Sequence, residues 1–127
     1  MKIEKTLSRY VKALENESYD EVMSLFAENA VVVSPLYGRM DASLFYRDLF
    51  EDTQKSTITP LNLFTAKNNG RTGAVHFLYT WTLKNGTITS FECVDIVQFA
   101  SDGKIQQLTI IYNTAAIREE FKKMKGT

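Results

Sequence analysis

The chain has 127 residues, 44% of them apolar and 24% charged, and its fifteen basic and fifteen acidic side chains cancel to zero formal charge. That length suits one compact domain, residues 1–127, with a core large enough to need no staples. The neutral balance argues against a nucleic-acid or membrane partner. Cys93 is the only cysteine, which excludes an internal disulfide and a multi-cysteine metal site. No long apolar stretch or signal-like N-terminus occurs, so the expected compartment is the cytoplasm.

Ile3, Leu7, Tyr10, Val11 and Leu14 recur at helical spacing and predict a first helix, interrupted at Asn16 and Glu17. Ser18, with Glu21 three positions on, has the pattern of a capping box opening a short second helix that buries Val22, Leu25 and Phe26. Residues 30–34 are rich in β-branched side chains and read as a strand ended by Pro35, with Gly38 marking a bend or short return strand. Asp41 is placed to cap a third helix with Leu44, Phe45, Leu49 and Phe50 inward. The pattern then turns to β. Four strands are expected over 57–67, 72–84, 87–100 and 104–112, with Pro60 marking an edge or bulge in the first. Their connections are Asn68, Asn69 and Gly70, then Asn85 and Gly86, then Asp102 and Gly103. A last helix over 114–125 puts Ile117, Phe121 and Met124 on one side, gathers Lys122, Lys123 and Lys125 at its C-terminal end, and stops at Gly126. Helices followed by a long antiparallel meander define an α+β class.

Asp95 stands out within this frame. Alternation along its strand gives it one face with Phe91, Cys93, Val97 and Phe99. A carboxylate among apolar side chains is costly unless paired, hydrogen-bonded or protonated, so Asp95 points to a cavity with a polar floor. Treating Asn85 and Gly86 as a two-residue turn sets His76 directly across from Asp95, with Leu78, Thr80 and Thr82 on the same face. Val75, Phe77, Tyr79 and Trp81 then occupy the opposite face. The same count across Asp102 and Gly103 adds Leu108, Ile110 and Tyr112 to the Asp95 face. One extra loop residue in the first turn would exchange the two faces of its strand. On the two-residue count, Phe77, Tyr79 and Trp81 form an apolar patch, and a homodimer through that sheet face is expected. The alternative is that the last helix covers it.

The succession of helices, strand, helix and curved sheet resembles the ketosteroid isomerase and nuclear-transport-factor-two superfamily, which includes the SnoaL-like polyketide cyclases. The resemblance rests on the run from Arg9 through Leu14, on Leu25 through Ala30, and on Val94 and Asp95 followed by Asp102, Gly103 and Lys104. It implies a cone: a curved antiparallel sheet wrapped around the N-terminal helices and enclosing a pocket, here with an extra C-terminal helix. In ketosteroid isomerase a carboxylate base moves a proton while a tyrosine and a protonated aspartic acid bind the enolate oxygen. By resemblance the tyrosine is Tyr10, the aspartic acid is Asp95, and the base position holds Ser34. A serine hydroxyl is no base near neutral pH without a partner to take its proton.

Three functions are compatible with these residues. The first is a pocket protein binding a small, largely apolar molecule by a carbonyl or hydroxyl gripped by Tyr10 and Asp95, between walls that include Phe26, Ser34, Leu78, Thr80, Leu108, Ile110 and Tyr112. The second is an isomerase, cyclase or dehydratase in which Asp95 orients His76 as the proton carrier and Tyr10 donates a hydrogen bond. The third is an interaction module acting through Phe77, Tyr79 and Trp81. No cofactor is expected, and His76 with Asp95 offers at most two ligands on one face, too few for a catalytic zinc.

Overall fold

The computed structural model describes residues 2–68 and 70–126. Asn69, expected in the turn before the second long strand, lies outside the described residues, as do Met1 and Thr127. The apolar stripe of α1 (Ile3–Glu15) is buried at Ile3, Leu7, Tyr10, Val11 and Leu14. The helix ends at Asn16, and Glu17 takes a positive φ of 53° before α2 (Tyr19–Ser24) begins. Ser18 and Asp41 precede α2 and α3 (Ala42–Glu51) as expected, yet neither side chain makes a capping bond. Asp41 is instead held by its pairing with Val31.

Phe26 does not belong to the second helix. It opens β1 (Phe26–Ser34), because it pairs with Ile105. Gly38 does start a return strand, β2 (Gly38–Asp41). Within α3 the buried residues are Ala42, Phe45, Tyr46 and Leu49, and Leu44 faces solvent instead of the core. The strands β3 (Thr53–Thr65), β4 (Thr72–Leu83), β5 (Ile88–Phe99) and β6 (Ile105–Ile111) form the expected antiparallel meander, followed by α4 (Arg118–Lys125) and the left-handed Gly126. The six strands lie in the order β2-β1-β6-β5-β4-β3 and the sheet is not closed. It is mixed, because β1 runs parallel to β6. A parallel pair needs a long crossover, and the whole stretch from β2 to β5 supplies it. β3 is an edge strand with an irregularity between Pro60 and Asn62, where proline removes a ladder donor.

The β4–β5 hairpin corrects the expected register. Leu83 N–H donates to Thr87 O at 2.8 Å, and Gly86, at φ 91°, donates to Leu83 O at 2.9 Å. The loop therefore holds three residues, Lys84, Asn85 and Gly86, with glycine in the left-handed position that such loops require. The extra residue shifts every pair by one: Val75 lies across from Asp95, and His76 across from Val94. Phe77, Tyr79 and Trp81 consequently join the Asp95 face, while His76, Leu78, Thr80 and Thr82 turn to the other. The second count holds, with Asp95 across from Ile110 and Val97 across from Leu108.

The helices pack on the Asp95 face. A Cβ on Gly73 would come within 2.8 Å of Ile3 Cγ2 and 3.1 Å of the Phe64 carbonyl oxygen, so α1 approaches β4 as closely as the backbone allows. From α4, Phe121 sets its ring 6.2 Å from Trp81 and 5.0 Å from Tyr37. Lys125 Nζ and the Tyr37 hydroxyl both donate to Asp52 Oδ2 at 2.8 Å. Trp81 Nε1–H donates to Thr53 Oγ1 at 2.8 Å, which donates in turn to Leu49 O at 2.6 Å, tying β4 to β3 and α3. Phe77, Tyr79 and Trp81 are therefore interior residues. They cannot form the expected contact between copies, and the last helix is what covers Trp81. No helix among the described residues is long and apolar enough to cross a membrane.

Candidate functional site

Between α1, α3 and the sheet lies a narrow cavity of about 40 Å³. A water needs about 10–15 Å³ by this measure, so the enclosed part holds roughly three. Including the mouth open to solvent, the empty space is about 430 Å³. Asp95 lines it from β5, Tyr10 and Leu14 from α1, Phe45 and Leu49 from α3, and Phe77, Tyr79 and Trp81 from β4. Asp95 is the only carboxyl in this lining, and no lysine, arginine or histidine among the described residues faces it there.

The Asp95 side chain is 1% exposed. Burial raises its pKa from 3.8 to about 7; the thiol of Cys93, donating to Oδ1 at 3.3 Å, and the nearby Tyr10 hydroxyl pull weakly the other way. The acid and its anion thus coexist near neutrality. Tyr10 and Tyr46 share a hydrogen bond of 2.7 Å between hydroxyls. Both are pushed well above the ordinary phenol range, chiefly by burial, and stay neutral donors. Burial, helped by the Asp95 charge, also pushes the Cys93 thiol far up, so it is no nucleophile.

Of the residues singled out from sequence, Tyr10, Asp95, Ser34, Ile110 and Tyr112 meet at the cavity. Ser34 Oγ accepts the N–H groups of Leu36 at 3.3 Å and Tyr37 at 3.2 Å, so it anchors the turn after β1. Phe26 stands behind the lining, its ring 6.2 Å from Tyr10 and 5.3 Å from Tyr46. Leu108 is fully buried without reaching the cavity. His76, Leu78 and Thr80 are not at the site. His76 bonds Glu92 Oε1 at 2.8 Å through Nε2 and Asn62 at 3.1 Å through Nδ1, on the far side of the sheet. No His76–Asp95 pair exists, and the proton relay built on it falls with the register that suggested it. Thr80 meets Ser90 at 2.8 Å on that same outer face.

Sequence reading missed Tyr46, Tyr37 and the β4 aromatics as site residues. Tyr46 carried a signal: Ala42, Phe45, Tyr46 and Leu49 are spaced i, i+3, i+4, i+7. Two ring pairs stiffen the walls, Phe91 with Tyr112 (4.1 Å, 13°) and Tyr79 with Trp81 (6.2 Å, 18°).

An open mixed sheet folded over N-terminal helices, with a buried acid looking into an aromatic cavity, defines the nuclear-transport-factor-two-like class of cone folds. The chain belongs to the SnoaL-like domain family, whose model matches residues 7–108. No curated protein matches the sequence. Among solved structures it is similar to the epoxide hydrolase/cyclase-like enzyme SalBIII of pyran ring formation in polyether salinomycin, at 22% identity over 88% of this chain and 91% of that one, with a TM-score of 0.76. A putative SnoaL-like polyketide cyclase from Jannaschia sp. CCS1 matches at 14% identity, 91% and 88% coverage and a TM-score of 0.76. A nuclear-transport-factor-two-like protein of unknown function from Burkholderia pseudomallei K96243 matches at 17% identity, 93% and 96% coverage and a TM-score of 0.79. At these identities the likeness shows the fold alone.

Proposed function

We propose that the chain binds a small, largely apolar molecule by its carbonyl or hydroxyl oxygen, gripped by Asp95 and Tyr10 at the cavity floor. One observation carries this reading: Asp95 is a buried carboxyl lining an aromatic cavity with no cation in that lining. With its pKa raised to about 7, such an acid is mostly protonated at pH 6 and donates a hydrogen bond to a ligand oxygen. The aromatic walls supply most of the affinity and Tyr10 a second polar contact. Only a few atoms fit the enclosed part, so the rest of the ligand extends through the mouth. Titration with 4-nitrophenol, followed by its absorbance at pH 6, tests the grip. Saturable binding is expected, weakened about tenfold in Asp95→Leu and less in Tyr10→Phe, as loss of a buried hydrogen bond predicts. Equal affinity in all three proteins would remove the basis of the proposal.

A second reading is catalytic. Asp95 alone moves a proton next to a carbonyl, in an isomerase, cyclase or dehydratase type of reaction. Its proton affinity near 7 favours this, since a group that both gives and takes a proton works best with a pKa close to the working pH. The similarity to the epoxide hydrolase/cyclase-like enzyme SalBIII is in keeping with it. Deuterium exchange next to the carbonyl of cyclohexanone, followed by NMR in heavy water, is the direct measurement. Exchange faster with the wild type than with Asp95→Asn, inflecting near pH 7, is expected; equal rates rule this reading out.

A further inference from the structure

Where the start of α1 meets the turn between β5 and β6, Lys2, Lys5, Arg9 and Lys104 line one surface pocket, with Thr6 among them and Asp102 as the only acid in its wall. The chain as a whole is neutral, with fifteen groups of each sign, so four cations around one carboxylate are a local excess. No carboxylate among the described residues forms an ion pair with any of the four. Asp102 is itself engaged, accepting the Lys104 N–H at 2.9 Å through Oδ1.

Two features set this pocket apart from an ordinary solvated face. The first is placement along α1. Lys2, Lys5 and Arg9 are three and four residues apart, so they form a row of like charges on one side, a spacing that destabilises a helix. Lys2 and Lys5 also stand at the helix end that favours anions. α4 follows the ordinary rule, with Glu119 and Glu120 in its first turn and Lys122, Lys123 and Lys125 in its last. Glu4 is the acid in the first turn of α1, and it lies in the wall of a neighbouring pocket instead. The second feature is that one cation is fixed in advance. Lys104 follows Gly103, whose φ is 87°, and its Nζ donates to Ser24 O at 2.7 Å. An ammonium has three N–H donors, so two are left for a ligand.

We propose that this pocket binds a small anion carrying a chain of linked phosphates. At about 1.5 Å per residue, the row from Lys2 to Arg9 is about 10 Å long. A single phosphate does not reach both of its ends, whereas a chain of phosphates does, and Lys104 meets that chain from the β5–β6 turn. Arg9 supplies a planar fork and the lysines supply point charges, the two ways in which phosphate oxygens are held. The site is concave, which favours a small ligand over a flat lipid surface. The inference is independent of the cavity reading, because none of these residues lines the aromatic cavity.

Calorimetric titration of the full chain with sodium tripolyphosphate at low salt tests the site. One site per chain is expected, with orthophosphate bound far more weakly. Affinity should fall at least about tenfold when Lys5→Gln and Arg9→Gln are combined. Lys55→Gln combined with Lys84→Gln removes the same charge at the other end of the sheet, near the β4–β5 loop, and should leave the affinity in place. All four positions are exposed, so both double variants keep the packed core. An equal loss in the two double variants would make the binding a matter of net charge and overturn the proposal. So would the absence of saturable binding, or orthophosphate bound as tightly as tripolyphosphate. Pelleting with phosphatidylserine vesicles separates the other source of phosphate. The protein should stay in the supernatant, and capture that tripolyphosphate does not displace would assign the cations to a lipid surface and overturn the proposal.

Discussion

Burial of the Asp95 carboxyl couples stability to pH with a definite sign. Its pKa rises from 3.8 to about 7 on folding. Between those values the native chain keeps a proton that the unfolded chain has released, so stability from this group is full below pH 4, falls as pH rises to 7, and is flat above. The displacement corresponds to at most about 4 kcal/mol. Asp95→Asn removes the charged form. It should be more stable than the wild type at pH 8 and differ from it by several kcal/mol less at pH 4. Urea unfolding of both proteins at the two pH values measures this; a gap that does not change with pH would show that Asp95 does not titrate as described. The position of Asp95 was legible in the sequence because it needs only the alternation of one strand. The role of His76 was not legible, because its face depends on a neighbouring strand's register.

At the scale of elements, the difference between right and wrong readings lies in one loop residue. Asn85 and Gly86 form a strong turn signal, and the chain does turn there. The signal does not reveal whether Lys84 still belongs to the ladder. It does not, because Leu83 pairs with Thr87, and twelve residues of β4 exchange faces as a result. The hairpin at Asp102 and Gly103 also has a three-residue loop, with Ala100 N–H donating to Lys104 O, and the slip between Gln98 and Phe99 offsets the extra residue, so that Asp95 still meets Ile110 as expected. Helices were read more reliably because their period needs no partner. The stripe of α1 came out whole, and the error in α3 was confined to assigning Leu44 inward in place of Tyr46. Strand composition likewise identified residues 30–34 but could not extend β1 back to Phe26, since that end is made by pairing with Ile105, far along the chain.

At the scale of the molecule, the class was legible from the order of the elements, while the parallel pairing of β1 with β6 and the destination of α4 were not. Both depend on contacts between distant segments. α4 lies beyond residue 108, where the family match ends. Two of the contacts that hold it differ in expected strength. Phe121 is buried against Trp81 and Tyr37, and replacing a buried phenylalanine by alanine costs about 3 kcal/mol or more. Lys125 bonds Asp52, but its side chain is 35% exposed, and an ion pair open to solvent contributes at most about 1 kcal/mol. Phe121→Ala should therefore destabilise the chain well beyond Lys125→Met in urea melts. It should also shift the emission of Trp81, the only tryptophan, to longer wavelength as water reaches the ring, whereas Lys125→Met should leave that emission in place. The reverse order of costs would mean that the helix is held at its charged end and that the aromatic contact follows from it.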